Sequence, residues 1–246
     1  MFVHEGAERS ASQNAMLAGY LAFIAGFVNS GGFVLIGSFT SHVTGNIGRF
    51  GHDVAVGTPA AAVFAVLLVA SFFAGAFGAS LILESHGEDR ARGYAIALLA
   101  EALLLGTFVF VAGLSRATHP RLLDAEAGIL SLAMGMQNSL ITRLSGAVVR
   151  TTHLTGVVTD LGIETARWYR WHRAKLGRVV GGKPERPASA RIVLHLTLVL
   201  AFMVGTIIGA TVTTHASRWA MAVPAIAVLA ASIRAFRGVR SKPGSN

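Results

Sequence analysis

Thr40–Gly51 reads TSHVTGNIGRFG, and near the middle of the chain Thr151–Gly162 reads TTHLTGVVTDLG. Setting His42 on His153, an offset of 111 residues, superposes Thr40 on Thr151, Thr44 on Thr155, Gly45 on Gly156 and Gly51 on Gly162. Val43/Leu154 and Phe50/Leu161 are conservative exchanges. One position departs: Arg49 falls on Asp160. Two readings are open. The segment is a helix-start motif used twice for packing, since Thr-Gly suits a helix start or a close backbone approach. Alternatively the halves act together there, and Arg49 and Asp160 are expected to meet across the interface between the copies.

The likeness continues outward from both copies. Gly26-Phe27-Val28-Asn29-Ser30 precedes the first as Gly135-Met136-Gln137-Asn138-Ser139 precedes the second. Phe72-Phe73-Ala74-Gly75 with Gly78-Ala79 is echoed by Phe202-Met203-Val204-Gly205 with Gly209-Ala210, after a second-half insertion of about twenty residues. The chain therefore reads as two repeats, about 14–114 and about 125–236, with the same elements in the same order. Many membrane transport folds are built in this way, with the site where the repeats meet.

Of the 246 residues 53% are hydrophobic and only 13% charged, too apolar for an ordinary soluble domain. The expectation is an all-α integral membrane protein, residues 1–246 forming a single membrane domain. Cysteine is absent, which excludes disulfide and thiol chemistry. The N-terminal stretch has Glu5 and Glu8 beside Arg9 and no basic region leading into an apolar run, so it is not read as a cleaved signal.

Asn14–Ile36 is uncharged and exceeds the roughly 20 helical residues that cross a bilayer. Asn29-Ser30-Gly31-Gly32 inside it predicts a break, since paired glycines weaken a helix. The next uncharged run, Val54–Leu83, is expected to start its helix at Thr58-Pro59, with Thr58 as cap and Pro59 as first helical residue. Gly75, Gly78 and Ala79 give it a small-residue face. A third span, Gly93–Leu114, contains Glu101. A carboxylate at that depth costs on the order of 2.5–3.5 kcal/mol unless it faces protein or water, as a helix-locking group or as a coupling site. A polar turn at Ser115–Asp124 leads to a fourth span, about Ala125–Ile141; the fifth and sixth follow at Ile192–Thr213 and about Trp219–Ile233.

Eight of the 21 lysines and arginines lie in Arg167–Arg191, interleaved with Trp168, Tyr169 and Trp171, and four more lie in the tail from Arg234 to Lys242. Beside apolar spans this reads as a cytoplasmic basic loop, about 167–191, with interfacial aromatics rather than a nucleic-acid surface. With both termini cytoplasmic, six spans split lysine and arginine 17 inside to 4 outside. The expected architecture is about six transmembrane helices as two inverted three-helix repeats, each with a short extra motif helix. The alternative is eight spans, four plus four in parallel orientation, with Arg49 in the membrane. Six is preferred because Arg49, His52 and Asp53, or Asp160 and Glu164, are too many charges for a lipid-facing span. The motif helices would then be partly sunk into protein, as irregular backbone at membrane depth must be.

Gly26-Phe27-Val28-Asn29, Ser41-His42-Val43-Thr44-Gly45-Asn46, Arg150–Gly156 and Thr159-Asp160-Leu161-Gly162 make the chain resemble the YoaK-like family of bacterial membrane proteins, from Leu17 to about Phe236. The resemblance implies a multi-pass inner-membrane protein and leaves its activity open. It also implies an aspartate in many members where this chain has Asn29.

No His-Glu-x-x-His, Gly-x-Ser-x-Gly, P-loop or dinucleotide fingerprint is present, so an enzyme is not expected, and neither is a cofactor. His42 and His153 read as hydrogen-bonding or capping groups before a helix start, and no metal is expected. The leading function is a small-solute transporter or permease. A regulatory or interaction membrane protein is the alternative, and an intramembrane enzyme ranks third. The expected substrate-binding set is Asn29, Thr44, Asn46 and Arg49 with Asn138, Thr155 and Asp160, because such groups are costly in hydrocarbon unless they face one another, water or a ligand. Glu101 is the expected coupling residue. The partners are a small-molecule solute and membrane lipid, without nucleic acid; a homo-oligomer is left open.

Overall fold

A computed structural model describes residues 11–87, 89–114, 120–144, 154–176, 186 and 189–240. Among them the chain is helical: α1 (Ala11–Ile36), α2 (Val43–Ala55), α3 (Pro59–Ser85), α4 (Arg90–Leu114), α5 (Pro120–Leu144), α6 (Leu154–Lys175), α7 (Ser189–Ala216) and α8 (Ala222–Arg240). A 3-10 turn, Ser217–Met221, joins the last two.

Among the described residues four runs are long and apolar enough to cross a membrane: Gly19–Ile36, Pro59–Ser85, Arg90–Ala112 and Ser189–Gly238, the last covering both α7 and α8. The chain is thus a helical, multi-pass membrane protein. Phe73, Phe77, Phe110, Val193, Ile207 and Ile226 stand exposed on these helices, an apolar surface that water would penalise and lipid tails accept. The expected fourth span is α5, which is not among the four runs. It carries Asp124, Glu126 and Gln137, but its Leu130, Ala133, Met134 and Ile141 are fully or nearly fully buried against α1, α3 and α4. A helix surrounded by protein is released from the demand for an apolar exterior.

The first span does not break. α1 continues through Gly31 and Gly32 because both sit at close helix contacts: a Cβ at Gly31 would stand 2.9 Å from Thr213 Oγ1, and one at Gly32 would stand 3.0 Å from Leu130 Cδ1. Lateral packing, not a bend, accounts for the pair. The Thr58-Pro59 start is as expected, Pro59 being the first residue of α3. Thr58 donates its hydroxyl to the Asp53 carbonyl at 3.1 Å and does not cap its own helix.

The most extensive contacts join α1 to α7, α3 to α5 and α4 to α8. A Cβ at Gly26 would strike the Phe202 carbonyl, and one at Gly205 the Phe23 carbonyl; equally, Gly135 lies on Phe72 and Gly75 on Leu132. Only glycine lets two backbones approach so closely. Gly19 meets Thr197 while Gly209 meets Phe27, so α1 and α7 run the same way. Gly128 meets Ser71, and Ser80 bonds to Ser139 at 2.9 Å, so α3 and α5 do too. By contrast α4 and α8 are antiparallel: Ser232 bonds to the Ala95 carbonyl, and Gly106, further along α4, shares a groove with Ala225, earlier in α8.

Motif helix α2 has 13 residues and packs along α3, while α6 has 22 and packs along α7. The second motif helix is therefore not short. It continues through Arg167–Lys175, so the basic segment about 167–191 begins as helix rather than loop. Residues 177–185, 187 and 188 of that segment, residues 115–119 of the expected polar turn, and Thr151–His153 of the second motif lie outside the described residues; Asp124 is helical.

Candidate functional site

Gly37, at φ +74°, closes α1 with its N–H bonded to the Phe33 carbonyl at 2.8 Å, the left-handed cap for which glycine is suited. The chain then turns back inward. Ser38, Thr40 and Ser41 are buried, and the Ser41 hydroxyl donates to Asn29 Oδ1 at 2.8 Å. Asn29 lies seven residues before the end of α1, so the turn has returned about 10 Å along that helix. Ser131, near the middle of α5, shares its one hydroxyl hydrogen between the Thr40 carbonyl at 2.9 Å and the Leu68 carbonyl of α3 at 2.7 Å. Non-helical backbone thus reaches the level of the helix middles, enclosed by α1, α3 and α5, the only setting in which a bilayer tolerates it.

α2 starts from this turn. His42, at the cap position, makes no side-chain cap bond, contrary to the capping expectation. Its ring instead lies over Gly45, where any Cβ would overlap it. The first N–H groups of α2 are left without a cap, and helix N-termini carry partial positive charge. Within the turn the Thr40 hydroxyl is buried without a hydrogen-bond partner among the described residues. The same holds for both amide atoms of Gln137 and for Asn138 Oδ1, about two turns further along α5.

The expected site residues divide. Asn29 and Asn138 are half-buried and Asn46 is buried, whereas Thr44, Arg49, Thr155 and Asp160 are exposed. Arg49 pairs with Asp53, one turn along α2, at 3.5 Å. Among the described residues no ion pair joins Arg49 to Asp160, which corrects the expectation that they meet. The reason is packing: α2 lies along α3 and α6 along α7, and each charge is on a face its neighbouring helix does not cover. Glu101 is fully buried, with neither oxygen hydrogen-bonded among the described residues. Its helix packs on α3, α5 and α8, so it stands apart from the motif helices.

Two acids went unnoticed as a pair in the sequence. The 111-residue offset that aligns the motifs also sets Asp53 on Glu164. Asp53 is buried and borders a cavity of about 380 Å³ between α2 and α3, lined mostly by apolar residues such as Phe50, Ala62 and Leu67. Glu164 Oε2 is 3.1 Å from Nδ1 of His195, the histidine inside the expected fifth span. Carrying the register eight residues past Thr-Gly would have exposed the acid pair; its partners are tertiary and leave no such signal. Among the described residues no three metal-ligating side chains come together.

The sequence pattern of a family described as "Protein of unknown function (DUF1275)" matches residues 17–233. No curated protein and no solved structure matches the chain.

Proposed function

Since the chain belongs to this family, in agreement with the resemblance carried by its TGN and TDLG motifs, we propose that it is a small-solute transporter or permease of the inner membrane. The observation that carries the reading is the turn from Gly37 to His42, whose Ser38, Thr40 and Ser41 are buried, with the uncapped start of α2 beside it. Broken backbone at depth, beside unpartnered hydroxyl and amide groups, is where transport folds place substrates, and the α2 N-terminus favours an anionic group on the solute. Asn29, Asn46, Thr40 and, further along α5, Asn138 form the inner part of this site. Thr44, Arg49, Thr155 and Asp160 are assigned to its mouths, and Glu101 to a proton-linked step.

The six-span inverted arrangement belongs to the same proposal. It is supported by matched contacts: Gly26 on Phe202 repeats Gly135 on Phe72, and Gly205 on Phe23 repeats Gly75 on Leu132. Antiparallel α4 and α8 also favour three plus three, since four plus four would make them parallel. Both termini are then cytoplasmic, and no chemical step is assigned to the protein.

Reconstitution into liposomes with a panel of small anions, cations and neutral metabolites, under imposed proton and sodium gradients, tests this. Movement of one class, weakened by Asn29→Ala or Asn46→Ala, is the expected result. If no solute moves and none changes thermal stability, the regulatory or interaction reading replaces transport.

A further inference from the structure

The two motif helices carry acids at the same register with different partners: Asp53 is bound within its own helix and to the turn at Thr58, whereas Glu164 meets the neighbouring helix α7. Asp53 is held by Arg49, a cation at every accessible pH, and by the Thr58 hydroxyl, 3.4 Å from its Oδ1. Glu164 faces an imidazole. Its Oε2 is 3.1 Å from His195 Nδ1, and the two side chains are only 12% and 9% exposed. Histidine is the side chain that ordinarily changes charge between about pH 5 and 8. Of the two sites, only the second contains an imidazole.

We infer that the Glu164–His195 pair is a proton-binding site that fastens α6 to α7, and that it is a second proton site, beside Glu101, of the transport reading on which this inference rests. With the imidazole protonated the contact is a charge-assisted bond inside a mostly enclosed seam. When the proton leaves for water, the carboxylate keeps one neutral donor and loses its counter-charge, an unfavourable state for a buried anion. The only bond made or broken is N–H. α6 is therefore held to α7 at acid pH and loosened as pH rises, while the contacts of Asp53 stay as they are. Glu101 can register a proton but cannot move a motif helix directly, because α4 packs on α3, α5 and α8.

Among the described residues the flanking charges on both helices are exposed. On α6, Asp160 one turn before Glu164 and Arg167 one turn after it are exposed, and on α7 so is Arg191. α7 also packs on α1, which has no Asp, Glu, Lys, Arg or His and whose Tyr20 donates to the Ala227 carbonyl of α8 at 2.6 Å, and on the 3-10 turn at its far end, which carries Arg218.

Trp168 is one turn from Glu164 on α6 and reports on this helix, but it stacks on His172, with ring centroids 5.5 Å apart. The parent for the test is therefore the full chain with Trp171→Phe, Trp219→Phe and His172→Gln, which leaves one tryptophan of the three. Its emission in nanodiscs is followed from about pH 5 to 8. The expected result is a single titration that is lost in His195→Gln and displaced in Glu164→Gln. A response absent from the parent, or unchanged in His195→Gln, overturns the inference. If His195→Gln fails to fold, Glu164→Gln, which keeps shape and an acceptor, decides alone, and an unchanged titration there overturns it. Solute uptake is measured on the same preparations. Uptake with no variant-sensitive titration removes the proton site and leaves transport; titration without uptake of any solute removes transport and leaves a pH-controlled contact between α6 and α7.

Discussion

Gly135→Ala in α5 and Gly78→Ala in α3 are the same substitution, and they should change stability in opposite directions. Replacing a helical glycine gains about 1 kcal/mol from backbone entropy and propensity. At Gly78 nothing stands within 4 Å of the new methyl, so that gain is kept. At Gly135 the methyl would overlap the Phe72 carbonyl oxygen, with Phe72 C at 2.8 Å and Ala76 N at 3.1 Å. All three are backbone atoms, so no rotamer change relieves the clash and α3 must move from α5 by roughly 1 Å. A gap of that size forfeits a quarter to a half of each contact it opens. Overpacking costs about 1–3 kcal/mol, and the rigid neighbours place this case at the upper end. The net expectation is a loss of about 2 kcal/mol for Gly135→Ala and a gain of up to about 1 kcal/mol for Gly78→Ala. Unfolding in mixed micelles with increasing SDS, followed by circular dichroism, measures both. If Gly135→Ala is as stable as the parent, or Gly78→Ala is the more damaged, the close α3–α5 crossing is wrong.

Removing the Ser131 hydroxyl with Ser131→Ala should cost about 0.5–1.5 kcal/mol and raise the labelling rate of a cysteine placed at Ser41, because the turn loses its tie to α5; unchanged labelling would contradict this. Arg49→Ala and Asp160→Ala should be additive in a double-mutant cycle, whereas Arg49→Ala and Asp53→Asn, an exposed cation and a buried acid one helical turn apart, should couple by about 0.5–1 kcal/mol. The chain has no cysteine of its own, so single cysteines report topology cleanly. One in Ser115–Asp124 should react with an impermeant reagent on intact cells and one in Glu84–Arg92 should not; the reverse would favour eight spans.

By itself the sequence determined the helical membrane class, because uncharged runs such as Asn14–Ile36 and Val54–Leu83 are long enough to span and leave no other economical state. The Thr58-Pro59 start was equally legible, since proline's fixed φ and missing N–H act locally. Tertiary structure decided the rest. Whether Gly31-Gly32 bends a helix or admits a neighbour depends on what lies opposite, here Thr213 and Leu130, both distant in sequence. Arg49 turned to Asp53 and not to Asp160 because a helix offers a partner one turn away before any fold brings a distant one. The buried turn rests on Ser131, an unremarkable serine within α5, and the Glu164–His195 contact joins residues 31 apart. Local propensity and apolar periodicity are written residue by residue. The partner of a buried polar group is fixed only when helices from opposite halves have packed, and no spacing within one segment encodes it.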